Sequence, residues 1–562
     1  MTGTNPAPAN VVTELSRGRL RWDLLRDFPR EDPADAARGD AAIRRLDELL
    51  AASVDPDAVE HSRELPAAYL DALRSGGYLM LQVDPAARGL GLADFATFRV
   101  CAAAMQHSTT AGFALATHNG IGLPALLPAL PAGPARDLVA RRLAEGAISG
   151  WADTEPTGAS NDLPATLAEP CGDGGYRLTG EKVFISNGAI ADELIVSAAV
   201  AEAPGACLFL VGTRSPGFRV RAVQEVIGMK GLPLGALELD RVEVTPDRVL
   251  VGPGGHWRGP GLLEPVSSRG RTYLVSGAAL AIARRAVAYQ RDFVRRRSVD
   301  GRALGSLPAI QDLIAASLAD VFAIEAAVQW CLIGGDADLA ARHRDRIAAK
   351  NITTLACWRV VEATMSLLAA EGAETRASKH GRGAPPLPVE QLWRDARLLR
   401  ITGGVDFAVD LWAGQAQFTR DGAAHDAIAD TDLTDDDLTQ LRDPRLTPSN
   451  AGHLGQLAVH TRRFARACAR LYRRHPNLPE LLEQQGRAIA AGRIARELFT
   501  MAVVLGRASL TEAGHPDQRL AWVYCTNAMA RLPALWPELT EDTDERDAEA
   551  RALCAWWLHG AG

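Results

Sequence analysis

Between Glu60 and Glu145 apolar residues recur every three or four positions, as in Tyr69, Leu70 and Leu73 or Phe95, Phe98 and Val100. That spacing predicts amphipathic helices. Gly89-Leu90-Gly91-Leu92 breaks one of them before Asp94, which is placed to cap the next. Four prolines from Pro124 to Pro134 interrupt the pattern again. Between Trp151 and Val251 the period shortens. Leu237 to Val244 alternates, Tyr176 to Ile185 does so in part, and Cys207 to Val211 is a continuous apolar run of the kind a buried strand presents. Gly172 to Gly175 and Asn187-Gly188 supply turns. Short strands with regular turns predict a small β domain, a barrel or sandwich. Helical spacing returns from Thr272 to about Ala424, in Leu274, Ala278, Ala281 and Ala288 and again in Ile310, Ile314, Leu318 and Val321. Ala373 to Pro388 reads as a surface loop and Asp430 to Asn450 as a second break, after which helices run from Gly452 to His559.

The expected fold is therefore mostly α with a central small β domain. Expected boundaries are a Pro- and charge-rich arm (1–55), a helical domain (56–150), the β domain (151–255), a helical domain (256–430) and a further helical domain (431–562). A length of 562 residues is ample for several buried cores.

A net charge of −7 gives no general affinity for nucleic acid. The eight cysteines are scattered, with no Cys-x-x-Cys, so neither a metal site nor a disulfide framework is expected. Met1 to Leu15 lacks the basic and apolar regions of a signal peptide, and no run of about 18 apolar residues occurs. A soluble cytoplasmic protein is the expectation.

The candidate chemistry sits in a few stretches. Trp151-Ala152-Asp153-Thr154-Glu155-Pro156 leads to Ser160 and Asn161, followed by Thr166-Leu167-Ala168. Leu178-Thr179-Gly180-Glu181-Lys182-Val183-Phe184-Ile185-Ser186-Asn187-Gly188 comes next. Further on stand Arg269-Gly270-Arg271, then Arg297 with Gln311, then Ala369-Ala370-Glu371-Gly372. Trp393-Arg394-Asp395-Ala396 leads to Ile401-Thr402-Gly403-Gly404 and Asp406. In order and spacing these resemble the motifs of the acyl-CoA dehydrogenase family. The stretch from Leu498 to Thr526 resembles the extra C-terminal helical domain of its very-long-chain members.

That resemblance implies an N-terminal helical domain, a β-barrel domain and a C-terminal four-helix bundle, followed by the additional helices. It implies FAD as cofactor, with Thr154 and Ser186 on the flavin ring and Phe184 in place of the flanking Trp. It implies Arg297 on the FAD pyrophosphate of a neighbouring subunit, beside Gln311. Ala369 and Ala370 stand where a glycine pair receives the adenine, so two methyl groups narrow that channel. Ser160 and Arg271 are the implied substrate contacts. The substrate would be acyl-CoA or a carrier-bound acyl thioester. The electron partner would be electron-transfer flavoprotein or a flavin reductase, and the assembly a homodimer.

The departure lies at the base. In most of the family a Glu removes the α-proton at the position of Gly403, and in some members at the position of Gly270. Neither is a carboxylate here. A general base contributes about 10²–10⁴-fold, so its loss cripples desaturation unless another group reaches in. Candidates are Asp406, three residues on and able to share a helix face if a helix begins near Gly404, and Glu371, Tyr273, His107 and His118. Three readings stand: a dehydrogenase with a displaced base, a flavin-dependent oxygenase on the same fold, and a non-catalytic acyl-thioester-binding scaffold.

Overall fold

The computed structural model describes residues 10–159, 161, 163–201, 205–255, 262–334, 342–418, 434, 439, 441–541 and 544–560. They fall into two compact units, one of residues 29–403 and one of residues 1–28 with 404–562.

In the larger unit, strands β1 (Ser149–Ala152), β2 (Leu167–Pro170), β3 (Tyr176–Ile185), β4 (Glu193–Val200), β5 (Ala206–Gly212), β6 (Phe218–Val223), β7 (Gly235–Val244) and β8 (Val249–Val251) form one sheet. Its order is β6-β7-β3-β2-β4-β5-β8, with β1 alongside β4. β4 and β5 lie in its middle and are buried on both faces. Leu194, Val196, Cys207, Phe209 and Val211 point into a core shared with Leu178, Leu237 and Val242. Ile195, Leu208 and Leu210 point the other way, onto Leu123, Leu126, Leu138 and Leu143 of the preceding helices. A strand with two dry faces reads as an unbroken apolar run, and Cys207 to Val211 is one.

The helices Gly277–Arg296, Pro308–Leu332, His343–Leu368 and Val389–Leu399 make up the helical bundle that follows. Pro308–Leu332 is long and apolar enough to span a bilayer by composition, but more than half of its apolar window is buried in the fold. The bundle is not dry throughout. Gln290 donates to Ser317 Oγ (3.0 Å) and Thr364 Oγ1 (2.8 Å), and Ser276 pairs with Thr353 (2.9 Å). Asp94 opens the helix Asp94–His107, but its carboxylate does not cap that helix. It accepts from the Tyr273 hydroxyl and Gln82 and meets Arg346 at 3.3 Å. A buried anion needs partners more than a helix start needs a cap.

Asp395 fixes the bundle to the β domain. It is buried on Val389–Leu399, and its Oδ1 accepts the Met229 N–H at 2.5 Å. Oδ2 is buried without a hydrogen-bond partner. Next to it, Arg394 donates to the Ile227 carbonyl (3.2 Å) and pairs with Glu60 and Glu390. Gly228 cannot carry a side chain here, since a Cβ would come within 2.6 Å of the Arg394 backbone.

In the smaller unit, Asp406–Phe418, Pro448–Arg474, Gln485–Ala508 and Pro516–Thr540 pack with the short helices Val11–Ser16 and Trp22–Leu25. The segment read as an arm is thus helical, with Val11, Leu15, Trp22 and Leu25 buried. Two glycines let Asp406–Phe418 and Gln485–Ala508 touch backbone to backbone. A Cβ on Gly414 would sit 1.8 Å from the Ala488 carbonyl oxygen, and one on Gly492 2.1 Å from that of Asp410.

Gly414→Ala and Gly492→Ala should each destabilise this unit by about 1–3 kcal/mol in thermal or denaturant unfolding, because overpacking forces the helices apart. Gly452→Ala, on an open helix surface, should stabilise by about 0.4–1 kcal/mol in the same assay. Burial pushes the Asp395 pKa up to about 6. The native state then holds a proton that the unfolded chain has released, so this stabilising contribution is lost as pH rises from about 4 to about 6. Relative to Asp395→Asn, the wild type should lose up to ~3 kcal/mol across that window, at about 1.4 kcal/mol per pKa unit. Parallel slopes for the two proteins would contradict the assignment.

Candidate functional site

Glu155 and Lys182 are the buried pair on which the first motif is built. Lys182, at the middle of β3, is fully buried and reaches Glu155 Oε1 at 2.8 Å, Ser197 Oγ at 3.2 Å and the Asp153 carbonyl at 3.2 Å. Glu155 also accepts from Thr166 Oγ1 (2.6 Å) and from the Thr166 and Ala165 N–H groups. Burial pushes the Glu155 pKa up, but these donors outweigh it and the net shift is downward. The pair pins Thr154-Glu155-Pro156 beside β3, where Val183 N–H donates to the Thr154 carbonyl (2.9 Å).

Thr154, Phe184 and Ser186 are therefore brought together. Phe184 lies at φ +55 and its side chain is 56% exposed, unusual for a large apolar residue next to a core strand. Its N–H is taken by Gln224 Oε1 (2.5 Å). The Thr154 and Ser186 hydroxyls make no hydrogen bond among the described residues, and neither is sealed from solvent. An apolar ring in the open beside free polar groups fits a flavin, which needs a wall behind its ring and donors along its edge. Ser160 lies outside the described residues.

A second group of residues gathers at one end of the bundle. Arg297 ends the helix Gly277–Arg296, is exposed and makes no ion pair among the described residues. Gln311 donates to the Gly305 carbonyl (3.1 Å), and Glu371 is taken by Arg296. Phe293, Leu304, Leu367 and Leu368, with Ile310 against them, hold these pieces in one cluster. Ala369 and Ala370 are both exposed, and Ala369 has φ +51 and ψ −130. An L-residue with a side chain rarely takes that conformation, which glycine accepts freely.

The third group surrounds Gly403. Arg271 begins a π-helical turn, Arg271–Ser276, set between the helices Leu263–Gly270 and Gly277–Arg296. Such single turns often mark functional sites. Arg271 Nε donates to the Gly403 carbonyl at 2.9 Å. Lys350, fully buried on His343–Leu368, donates to the Arg400 carbonyl at 3.2 Å. Two cations thus hold the carbonyls of one turn. Ile401 and Thr402 give their N–H groups to the Leu398 carbonyl. The Gly403 N–H has no partner among the described residues, and Gly403 is exposed. Gly403 is left-handed at φ +71 and Gly404 at φ +107.

The candidate replacement bases each have partners of their own. The helix carrying Asp406 begins at that residue, after the two left-handed glycines, so Gly403 and Asp406 share no helix face. The Asp406 carboxylate instead accepts the Phe407 N–H (2.9 Å). Tyr273 is buried on Asp94, which together with burial pushes its pKa well up. His107 is bound to the Val54 carbonyl (2.9 Å). His118 bridges the Leu79 carbonyl and Ser149, and burial pushes its pKa down to about 4. Gly270 is buried against Ile121, whose Cγ2 would lie 2.2 Å from an added Cβ, so no side chain fits there.

Sequence reasoning missed the roles of Lys182, Asp395 and Lys350. A lysine inside a half-alternating strand was the signal for the first. The other two sit on helical faces that the sequence does not orient.

Residues 150–242 match the acyl-CoA dehydrogenase middle domain and residues 269–407 the acyl-CoA dehydrogenase C-terminal domain. The probable acyl-CoA dehydrogenase FadE10 of Mycobacterium tuberculosis is 27% identical over 576 residues, covering 96% of this chain and 87% of that protein. The very long-chain specific acyl-CoA dehydrogenase of Rattus norvegicus is 23% identical over 364 residues, 63% of this chain and 53% of that one. The crystal structure of an acyl-CoA dehydrogenase complexed with FAD from Bacillus anthracis superposes with a TM-score of 0.75 at 18% identity, covering 93% of this chain and 91% of that chain. Residues 150–242 and 269–407 thus carry the acyl-CoA dehydrogenase middle and C-terminal domains, and the chain shares its fold with a solved acyl-CoA dehydrogenase.

Proposed function

We propose that the chain is an FAD-dependent oxidoreductase acting on an acyl thioester, acyl-CoA in the first instance, that polarises the thioester carbonyl without a protein carboxylate to take the α-proton. The observation that carries this reading is the turn at Gly403. Its carbonyl is tied back by Arg271 and its N–H is left free. A backbone N–H fixed in this way stabilises negative charge developing on a carbonyl oxygen, and such donors are typically worth 10²–10³ in rate. On this reading the Gly403 turn keeps the polarising half of the family's machinery, while neither Gly403 nor Gly270 carries the proton acceptor.

FAD is the cofactor. Thr154 and Ser186 would hold the isoalloxazine edge, with Phe184 at its face. When bound, the flavin supplies a two-electron acceptor. Arg297 and Gln311, with the exposed Ala369-Ala370 turn, would meet the diphosphate and adenine end of a cofactor shared with a second copy. A guanidinium fork suits a diphosphate. Electrons would leave to an electron-transfer flavoprotein or a flavin reductase.

The purified protein should be yellow, and saturated straight-chain acyl-CoA should bleach it under anaerobic conditions slowly or not at all. Gly403→Glu should raise the bleaching rate by at least ~10²-fold, the lower end of what a general base contributes. The gain will be held back because a side chain at φ +71 costs about 1–2 kcal/mol. Fast bleaching of the wild type, with no gain in the variant, would mean that another residue is the base. A colourless protein that cannot be reconstituted with FAD would leave the scaffold reading.

A further inference from the structure

Several cations of the larger unit are answered by nearby anions. Arg394 has Glu60 and Glu390, Arg359 has Asp320, and Arg346 and Arg269 both approach Asp94. Arg271 is different. Its one hydrogen bond is to the Gly403 carbonyl, and it forms no ion pair among the described residues. Partial burial lowers its pKa, although the side chain still reaches solvent. An arginine stays charged in such a place. A half-buried guanidinium with no counter-charge among the described residues is free to meet an anion brought from solution.

The space beside it is open. A Cβ on Gly403 would meet only Arg271 Cγ and Val275 Cγ2, each at 3.4 Å, an ordinary contact. A guanidinium and a backbone N–H with no partner among the described residues are thus supplied by two residues that a single hydrogen bond joins.

We propose that the substrate brings the missing carboxylate: the site takes an α-carboxyacyl thioester of the malonyl type, with Arg271 on the carboxylate and the Gly403 N–H on the thioester carbonyl. This rests on the acyl-thioester reading above. In such a molecule both oxygen-bearing groups hang from one carbon, which suits two donors linked by one hydrogen bond. A carboxylate at the far end of a longer diacid would have to fold back to reach Arg271.

The chemistry then needs no protein base. The bond from Cα to the carboxylate carbon breaks and carbon dioxide leaves. The electron pair of that bond becomes the enolate of the thioester. The negative charge moves from the carboxylate to the enolate oxygen, whose carbon is two bonds from the carboxylate carbon, and so remains near Arg271 and the Gly403 N–H. A proton from solvent closes the sequence to a saturated thioester; FAD, held by Thr154 and Ser186, would when bound supply the two-electron acceptor for the β-hydride whose loss turns the enolate into an enoyl thioester. Both routes release one carbon dioxide per substrate.

The test is calorimetric titration of the purified holoprotein with ethylmalonyl-CoA, butyryl-CoA and glutaryl-CoA, with carbon dioxide counted from carboxyl-labelled ethylmalonyl-CoA. Ethylmalonyl-CoA should bind at least ~10-fold more tightly than butyryl-CoA, as a charge-assisted hydrogen bond implies, and should release label. Arg271→Gln should abolish the preference and Arg271→Lys should keep part of it. Gly403→Glu, which offers Arg271 a protein carboxylate, should abolish it by a separate route, so the inference does not hang on one variant folding. Equal binding of ethylmalonyl-CoA and butyryl-CoA would overturn the inference and leave the acyl-thioester reading intact. A preference for glutaryl-CoA would overturn the α placement, and tight binding without label release would overturn the bond cleavage. If no thioester binds, the acyl-thioester reading falls with it.

Discussion

A carboxylate that receives one backbone N–H and little else holds the larger unit in register. Asp395 is buried on the last helix of its bundle and takes the N–H of Met229, a residue held at φ +48 in the loop before β7. The helix it sits on runs directly into Thr402 and Gly403. Any slip at Asp395 would move the Gly403 turn relative to β3, where Thr154, Phe184 and Ser186 are gathered. The desolvation of Asp395 is therefore the constraint under which the site keeps its shape. It is a costly one, because Oδ2 has no hydrogen-bond partner.

The site itself is assembled from buried charges used as fasteners. Lys182 and Glu155 pin the segment before β2, and Lys350 holds the Arg400 carbonyl. A buried ion pair adds little net stability over an apolar one, but removing one partner is severely destabilising. That asymmetry suits a site in which position matters more than energy. Around the flavin motif the charges are fully answered, so the residues left with free polar groups, Thr154 and Ser186, stand out as those facing a ligand.

How much of this the sequence disclosed depends on whether a residue's role follows from its neighbours along the chain. β4 and β5 were legible because both faces are dry and the chain shows it as an apolar run. The motifs around Thr154 and Lys182 were legible by spacing. The helices Val11–Ser16 and Trp22–Leu25 were not, because one turn or so of helix gives no period to detect, and Pro- and charge-rich surroundings read as an arm. Asp406 failed for a related reason. Sequence distance placed it one helical turn from Gly403, but two left-handed glycines come first and delay the helix. Gly403 could be read as a missing Glu, yet nothing in the sequence says that its N–H is free or that its carbonyl is tied to Arg271.

On the proposed reading, a glycine in place of a carboxylate at position 403 has two physical consequences. One is the absence of a proton acceptor. The other is electrostatic: a guanidinium that would lie beside the carboxylate is left without a counter-charge. Drift toward inactivity would be expected to relieve that second strain, since replacing Arg271 by a neutral residue removes the desolvation penalty while the Gly403 turn retains its other tie through Lys350 at Arg400. Arg271 stands instead on a π-helical turn that is itself a departure from regular helix. A cation with no counter-charge among the described residues, next to a backbone N–H with no partner among them, is the pair of donors that the proposed site needs.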